Sequence, residues 1–155
     1  MFTGMSALSV VLRVIFSLLG LSAIAIGAMN FALGPTATAA TFATILSTIA
    51  HTPRDVEGLS GPNIDSEMRF YSVLWIAYGS LALWVSQSLK VRIVWLRLML
   101  VVFLFGGIGR ALSFFSVGPP HPLFSILMWI ELLLPTLLIA LSYGIPRRAD
   151  SETGN

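Results

Sequence analysis

Cysteine is absent from the 155 residues, and only 10% of them are charged. The first absence excludes disulfides, thiolate metal sites and catalytic thiols. The second excludes an ordinary soluble domain, in which about 25% of residues carry charge. Histidine occurs at His51 and His121, and neither lies inside a long apolar run where a haem ligand would have to sit. Phosphate-binding glycine loop, dinucleotide fingerprint, paired-histidine zinc motif and nucleophile elbow are all missing. No cluster of residues has metal-ligand spacing. The net charge of +2 is small, and the basic residues form no stripe of the kind that binds nucleic acid. The expectation is therefore a protein that is not an enzyme, with no metal, no cofactor and no nucleic-acid partner.

What the chain does have is hydrocarbon: 56% of its residues are hydrophobic. A helix needs about 20 mostly apolar residues to cross a bilayer core of about 30 Å. Four runs qualify: Leu8–Leu33, Phe70–Leu89, Ile93–Phe115 and Leu123–Ile145. Gly34-Pro35 stops the first, and Lys90 and Arg92 mark the turn after the second. Gly118-Pro119-Pro120-His121-Pro122 separates the third from the fourth, and Pro146-Arg147-Arg148 closes the last. The first run exceeds the apolar part of a signal peptide and holds Arg13 near its start, so it reads as a retained span. The fold class expected is all-α: an integral membrane four-helix bundle over residues 1–146, with a polar tail at 147–155.

Lys and Arg in short connections set orientation. The second-to-third connection and its flank carry Lys90, Arg92 and Arg97, and the C-terminal flank carries Arg147 and Arg148. The third-to-fourth connection has no Lys or Arg. Both termini are thus expected to be cytoplasmic in a multi-pass protein of the cell's inner (plasma) membrane. The outer loop 34–69 faces the other side. Within it Phe42, Ile45, Leu46 and Ile49 recur at helical spacing, with Thr41, Thr44 and Thr48 on another face. That pattern predicts a short helix lying at the outer interface. His51 to Pro62, with Gly58 and Gly61, reads as irregular. Asp65 is a candidate N-cap for the second span, with Glu67 in its first turn.

Small residues predict how the spans pack. Gly20, Ala23 and Gly27 share a face of the first span, and Ser72, Gly79 and Ser86 a face of the second. On the third, Phe103, Gly106, Gly107, Arg110, Ser113 and Phe114 share one face. Arg110 therefore points inward. Glu131 stands four positions before Pro135 in the fourth span, so its carbonyl loses its usual amide partner and a bend is expected there.

Charges at such depth are costly and usually partnered. By helical rise Arg110 lies about 8 Å, and Glu131 about 12 Å, from the outer ends of their spans. Arg69, Asp65, Glu67 and His121 lie near the same surface. Two readings stand: a buried Arg110–Glu131 salt bridge that sets helix register, or an outward-open polar pocket that binds a headgroup, a quinone-like ring or a proton.

The stretch Asn63-Ile-Asp-Ser-Glu-Met-Arg-Phe-Tyr, running to Leu74-Trp75, carries a family likeness. So do Gly106-Gly-Ile-Gly-Arg-Ala-Leu-Ser113, Gly118-Pro-Pro-His-Pro122 and Glu131. With these motifs the chain resembles the small bacterial membrane proteins grouped as domain of unknown function 4345. The resemblance covers roughly Val14 to Ser142, leaving aside the Thr/Ala stretch from Thr36 to Ala50. It implies that Asp65, Glu67, Arg69, Gly106, Gly107, Arg110, Pro122 and Glu131 are shared family positions, and it implies no reaction. The functional expectation is an accessory or scaffold subunit of a larger membrane complex, or a homo-oligomer, embedded in the lipid bilayer. The alternative is an outer-leaflet binding or carrier protein for a lipid, quinone-like ring or small solute.

Overall fold

The computed structural model describes residues 7–145. Over that range the chain forms five helices: α1 Ala7–Leu33, α2 Pro35–Ala50, α3 Pro62–Gln87, α4 Ile93–Val117 and α5 Pro122–Ser142. No strand occurs among the described residues. α1, α3, α4 and α5 are each long and apolar enough to cross a membrane, so the chain is a four-span helical membrane protein. The polar tail expected at 147–155 lies outside the described residues.

Each spanning helix overruns its apolar run at one end, while α3 stops at Gln87 short of Leu89 and α5 at Ser142 short of Ile145. α3 begins at Pro62 rather than Phe70, so Asp65 is not its N-cap. Gly61 holds that place at φ 133°, and Pro62 opens the helix where a missing amide costs nothing. Asp65 falls in the first turn and Glu67 beyond it. A helix end that water can solvate need not stop where hydrocarbon stops. α5 begins at Pro122, and it runs uninterrupted through the buried Pro135 to Ser142.

The loop helix is present and longer than the pattern indicated. α2 starts at Pro35 directly after Gly34, whose φ of 82° lets the chain reverse out of α1. Its buried face is Pro35, Thr38, Ala39, Ala43 and Ser47. Phe42 and Leu46 are half-buried, whereas Ile45 and Ile49 are exposed. Small residues face the protein because they let α2 lie close to its neighbours, and the large apolar residues are shared between protein and outside. The irregular segment 51–61 is fastened over this helix. Thr36 Oγ1 donates to the Leu59 carbonyl at 3.0 Å, and Arg54 Nε donates to Ser47 Oγ at 3.1 Å.

In lipid, helices associate through close approach and interhelical hydrogen bonds rather than hydrophobic exclusion. α1 and α3 show both. A Cβ on Gly79 would stand 2.5 Å from the Gly20 carbonyl oxygen, and one on Gly27 would stand 2.9 Å from that of Ser72. Ser17 Oγ donates to Ser86 Oγ at 2.9 Å, and Asn30 Nδ2 donates to the Met68 carbonyl at 2.9 Å and to Ser72 Oγ at 2.8 Å. α4 and α5 form the other close pair. There a Cβ on Gly107 would meet the Glu131 backbone at 2.9 Å.

Arginines close three helix ends, where free carbonyls and the negative end of the helix dipole favour a cation. Arg69 donates to the carbonyls of Phe31 and Ala32 at the end of α1. Arg92 donates to the Trp84 carbonyl and lies 3.7 Å from the centroid of its ring, near the end of α3. Arg97 donates to Ser142 Oγ at 2.9 Å and to the Ser142 carbonyl at 3.1 Å, at the end of α5.

The main apolar core sits at the basic-turn end of the bundle. Leu12, Phe16, Val85, Ile93, Leu96, Leu100 and Leu138 meet there, each almost fully buried. Towards α2 the two close pairs are less tightly joined, and the space between them is where the cavities lie.

Candidate binding site

Glu131 projects from α5 against the glycines of α4. A Cβ on Gly106 would lie 3.6 Å from Glu131 Oε2, and Gly107 admits the backbone behind it. The carboxylate is thus seated in a notch that larger residues would fill. From one turn further along α4, Arg110 Nε donates to Glu131 Oε2 at 2.8 Å. The two side chains differ in burial: Glu131 is 6% exposed and Arg110 33%. The Phe124 ring centroid lies 5.8 Å from Arg110 Cζ and adds a cation–π contact.

The pair separates two cavities. The larger, about 1040 Å³, is a lateral cleft between α3 and α4. Tyr71, Leu74, Trp75 and Tyr78 form one wall, and Phe103, Gly106 and Gly109 part of the other. Tyr78 Oη donates to the Met99 carbonyl at 2.8 Å, which joins α3 to α4. The smaller, about 200 Å³, lies beneath α2 between α1, α3 and α5, with Thr38, Asn30, Phe42 and Phe124 in its wall. Trp75, Arg110 and Glu131 line both. Arg110 spends one N–H on Glu131, and its terminal nitrogens meet no protein acceptor among the described residues. They remain available to an occupant.

The other candidate polar residues lie apart from these two cavities. Asp65 and Arg69 form their own ion pair one turn apart, at 2.7 Å, packed so close to Gly34 that a Cβ there would lie 2.7 Å from Asp65 Oδ1. With Arg69 closing the end of α1, this pair is a joint between α1, α2 and α3. Glu67 is exposed. His121 accepts the Leu123 amide at Nδ1, 3.2 Å away, so the proton is on Nε2, which donates to the Pro53 carbonyl at 2.9 Å. It caps α5 and holds down the segment between α2 and α3.

Two residues of the smaller cavity carried no signal in the sequence. Asn30 and Thr38 are uncharged, and nothing distinguishes Thr38 from Thr41, Thr44 or Thr48 until the buried face of α2 is known. Trp75 lines both cavities.

A family model described as "Domain of unknown function (DUF4345)" matches residues 11–142. The match runs across 36–50, so the Thr/Ala stretch, here α2, lies within the matched region. Nothing matches this chain among curated proteins or among solved structures.

Proposed function

The chain belongs to the DUF4345 family, and on that premise we propose that it binds an uncharged amphipathic molecule, a lipid or a quinone-like ring, in the lateral cleft. One observation carries the reading: a large, mostly apolar cleft ends on an arginine with unspent donors. Arg110 and Glu131 cancel each other's charge. In a low-dielectric setting an ionic occupant would leave net charge behind, whereas a neutral molecule with a carbonyl or hydroxyl acceptor does not. Tyr71, Trp75, Tyr78 and Phe103 offer ring faces to its apolar body. The membrane proposed is the plasma membrane, with the cleft in the outer half.

Purification from native membranes, followed by extraction and mass spectrometry, tests this. A co-purified neutral lipid or ring compound, lost when Gly109→Leu fills the cleft, supports binding. A Cβ at Gly109 meets nothing within 4 Å, so the new side chain starts in open space at the wall of the cleft. A stoichiometric protein partner with no small molecule would instead support an accessory subunit of a larger complex.

A further inference from the structure

The wall of the chamber beneath α2 holds a hydroxyl that the protein leaves unused. Thr38 is 5% exposed, and its Oγ1 is buried without a hydrogen-bond partner. Its neighbours behave otherwise. Thr41 Oγ1 donates back to the Ala37 carbonyl at 2.9 Å and Thr44 Oγ1 to that of Ala40 at 2.8 Å. This is the usual recourse of a helical threonine. Thr38 does not take it; the residue lines the chamber while its hydroxyl sits back in the wall, so an occupant reaches that hydroxyl once the side chain turns about χ1.

The polar groups around it include two open acceptors. The Met68 carbonyl only accepts, so Asn30 must turn its amide nitrogen there, and its side-chain carbonyl has no protein donor among the described residues. Glu131 uses Oε2 on Arg110 and has Oε1 to offer. Thr38 both donates and accepts, and Arg110 donates. An occupant must therefore bring O–H donors to two acceptors. A phosphate or carboxylate head would set an anion against Glu131 and the Asn30 carbonyl, and an ammonium would add uncompensated charge. The volume of about 200 Å³ equals about seven waters at about 30 Å³ each. That is room for a glycerol-sized head. Phe42, Phe124 and Trp75 cover its carbon faces.

Resting on the binding reading above, we infer that the chamber is a headgroup subsite for an uncharged, hydroxyl-bearing lipid. Thr38 and Asn30 select the head, and the apolar body lies in the lateral cleft. Head and body meet at Trp75, Arg110 and Glu131, the residues common to both cavities.

Two probes with the same chain separate the claims: monooleoylglycerol, which has a diol head, and methyl oleate, which has none. Binding to the full chain in detergent is read by native mass spectrometry. Wild-type protein is expected to bind both, the diol more tightly. Thr38→Val keeps the shape and removes the hydroxyl. It is expected to weaken the diol about tenfold, the equivalent of one hydrogen bond, and to leave methyl oleate unchanged. Thr38→Ser is expected to retain diol binding, and Gly109→Leu to weaken both probes. Unchanged diol affinity in Thr38→Val, with both probes still weakened by Gly109→Leu, overturns the headgroup subsite and leaves the cleft standing. Failure of wild-type protein to bind either probe overturns both.

Discussion

Arg110 and Glu131 are unequal partners, and the inequality predicts how each responds to loss of the other. Removing one side of a buried pair costs about 3–5 kcal/mol in soluble proteins. Arg110→Leu strands a carboxylate that is 6% exposed, whereas Glu131→Leu leaves an arginine already 33% exposed, with a long stem that can reach a wetter region. Thermal unfolding in detergent is expected to fall further for Arg110→Leu than for Glu131→Leu. The double change is expected to recover much of the loss. Additive losses in the cycle would show that the two residues do not interact. His121 gives a second residue-scale expectation. His121→Ala removes an N-cap, worth about 1 kcal/mol, together with the contact to Pro53. Trypsin is expected to cut after Arg54 faster in this variant, and an unchanged rate would refute the anchoring role. At this scale the charged residues were legible because an ion in an apolar run is conspicuous. Thr38 and Asn30 were not, because their importance lies in what they face.

Among elements, α1 and α3 join through contacts that no larger residue fits. Gly79→Ala improves helix propensity by about 1 kcal/mol in isolation. At this site it places a Cβ 2.5 Å from the Gly20 carbonyl oxygen, and backbone must yield. The variant is expected to lose about 1–3 kcal/mol. Gly109→Ala is expected to be neutral or stabilising, because a Cβ there meets nothing within 4 Å. Comparing their melting temperatures in detergent checks the pair, and an equal effect would show that the crossing is not tight. For α2, a spin label at Ile45 or Ile49 is expected to read membrane-interface depth, since Ile49 is 77% exposed on an apolar face. Phe42→Asp is expected to reduce that depth. A fully aqueous signal from the unmutated helix would remove α2 from the interface. The glycine stripes were legible as packing faces from residue size alone. The rotation of α2 was not: its apolar and small faces overlap, and only neighbouring helices decide which is turned inward.

For the whole molecule, orientation follows from charge. The α3–α4 turn carries Lys90 and Arg92, with Arg97 close by, and the α4–α5 connection carries neither Lys nor Arg. A reporter fused after Asn155 is expected to be cytoplasmic, and one inserted at Gly58, in open space on the outer loop, external. An external C-terminus would invert the bundle and move both cavities to the cytoplasmic half.

Composition and the lengths of the apolar runs determined the four spans by themselves. Partition into a bilayer is a sum over neighbouring residues, and no distant contact is needed to evaluate it. The same local reasoning marked Arg110 and Glu131 as anomalies and located helix breaks at Gly34-Pro35 and Gly118-Pro119. Tertiary structure alone decided that α1 lies against α3 and α4 against α5, that the core gathers at the basic-turn end, and that two cavities flank the ion pair. These depend on which faces meet across residues far apart in the chain. Small residues permit close approach on several faces without specifying the partner. The unused Thr38 hydroxyl is the clearest case, for its state is set by the neighbours of α2 rather than by the helix that carries it.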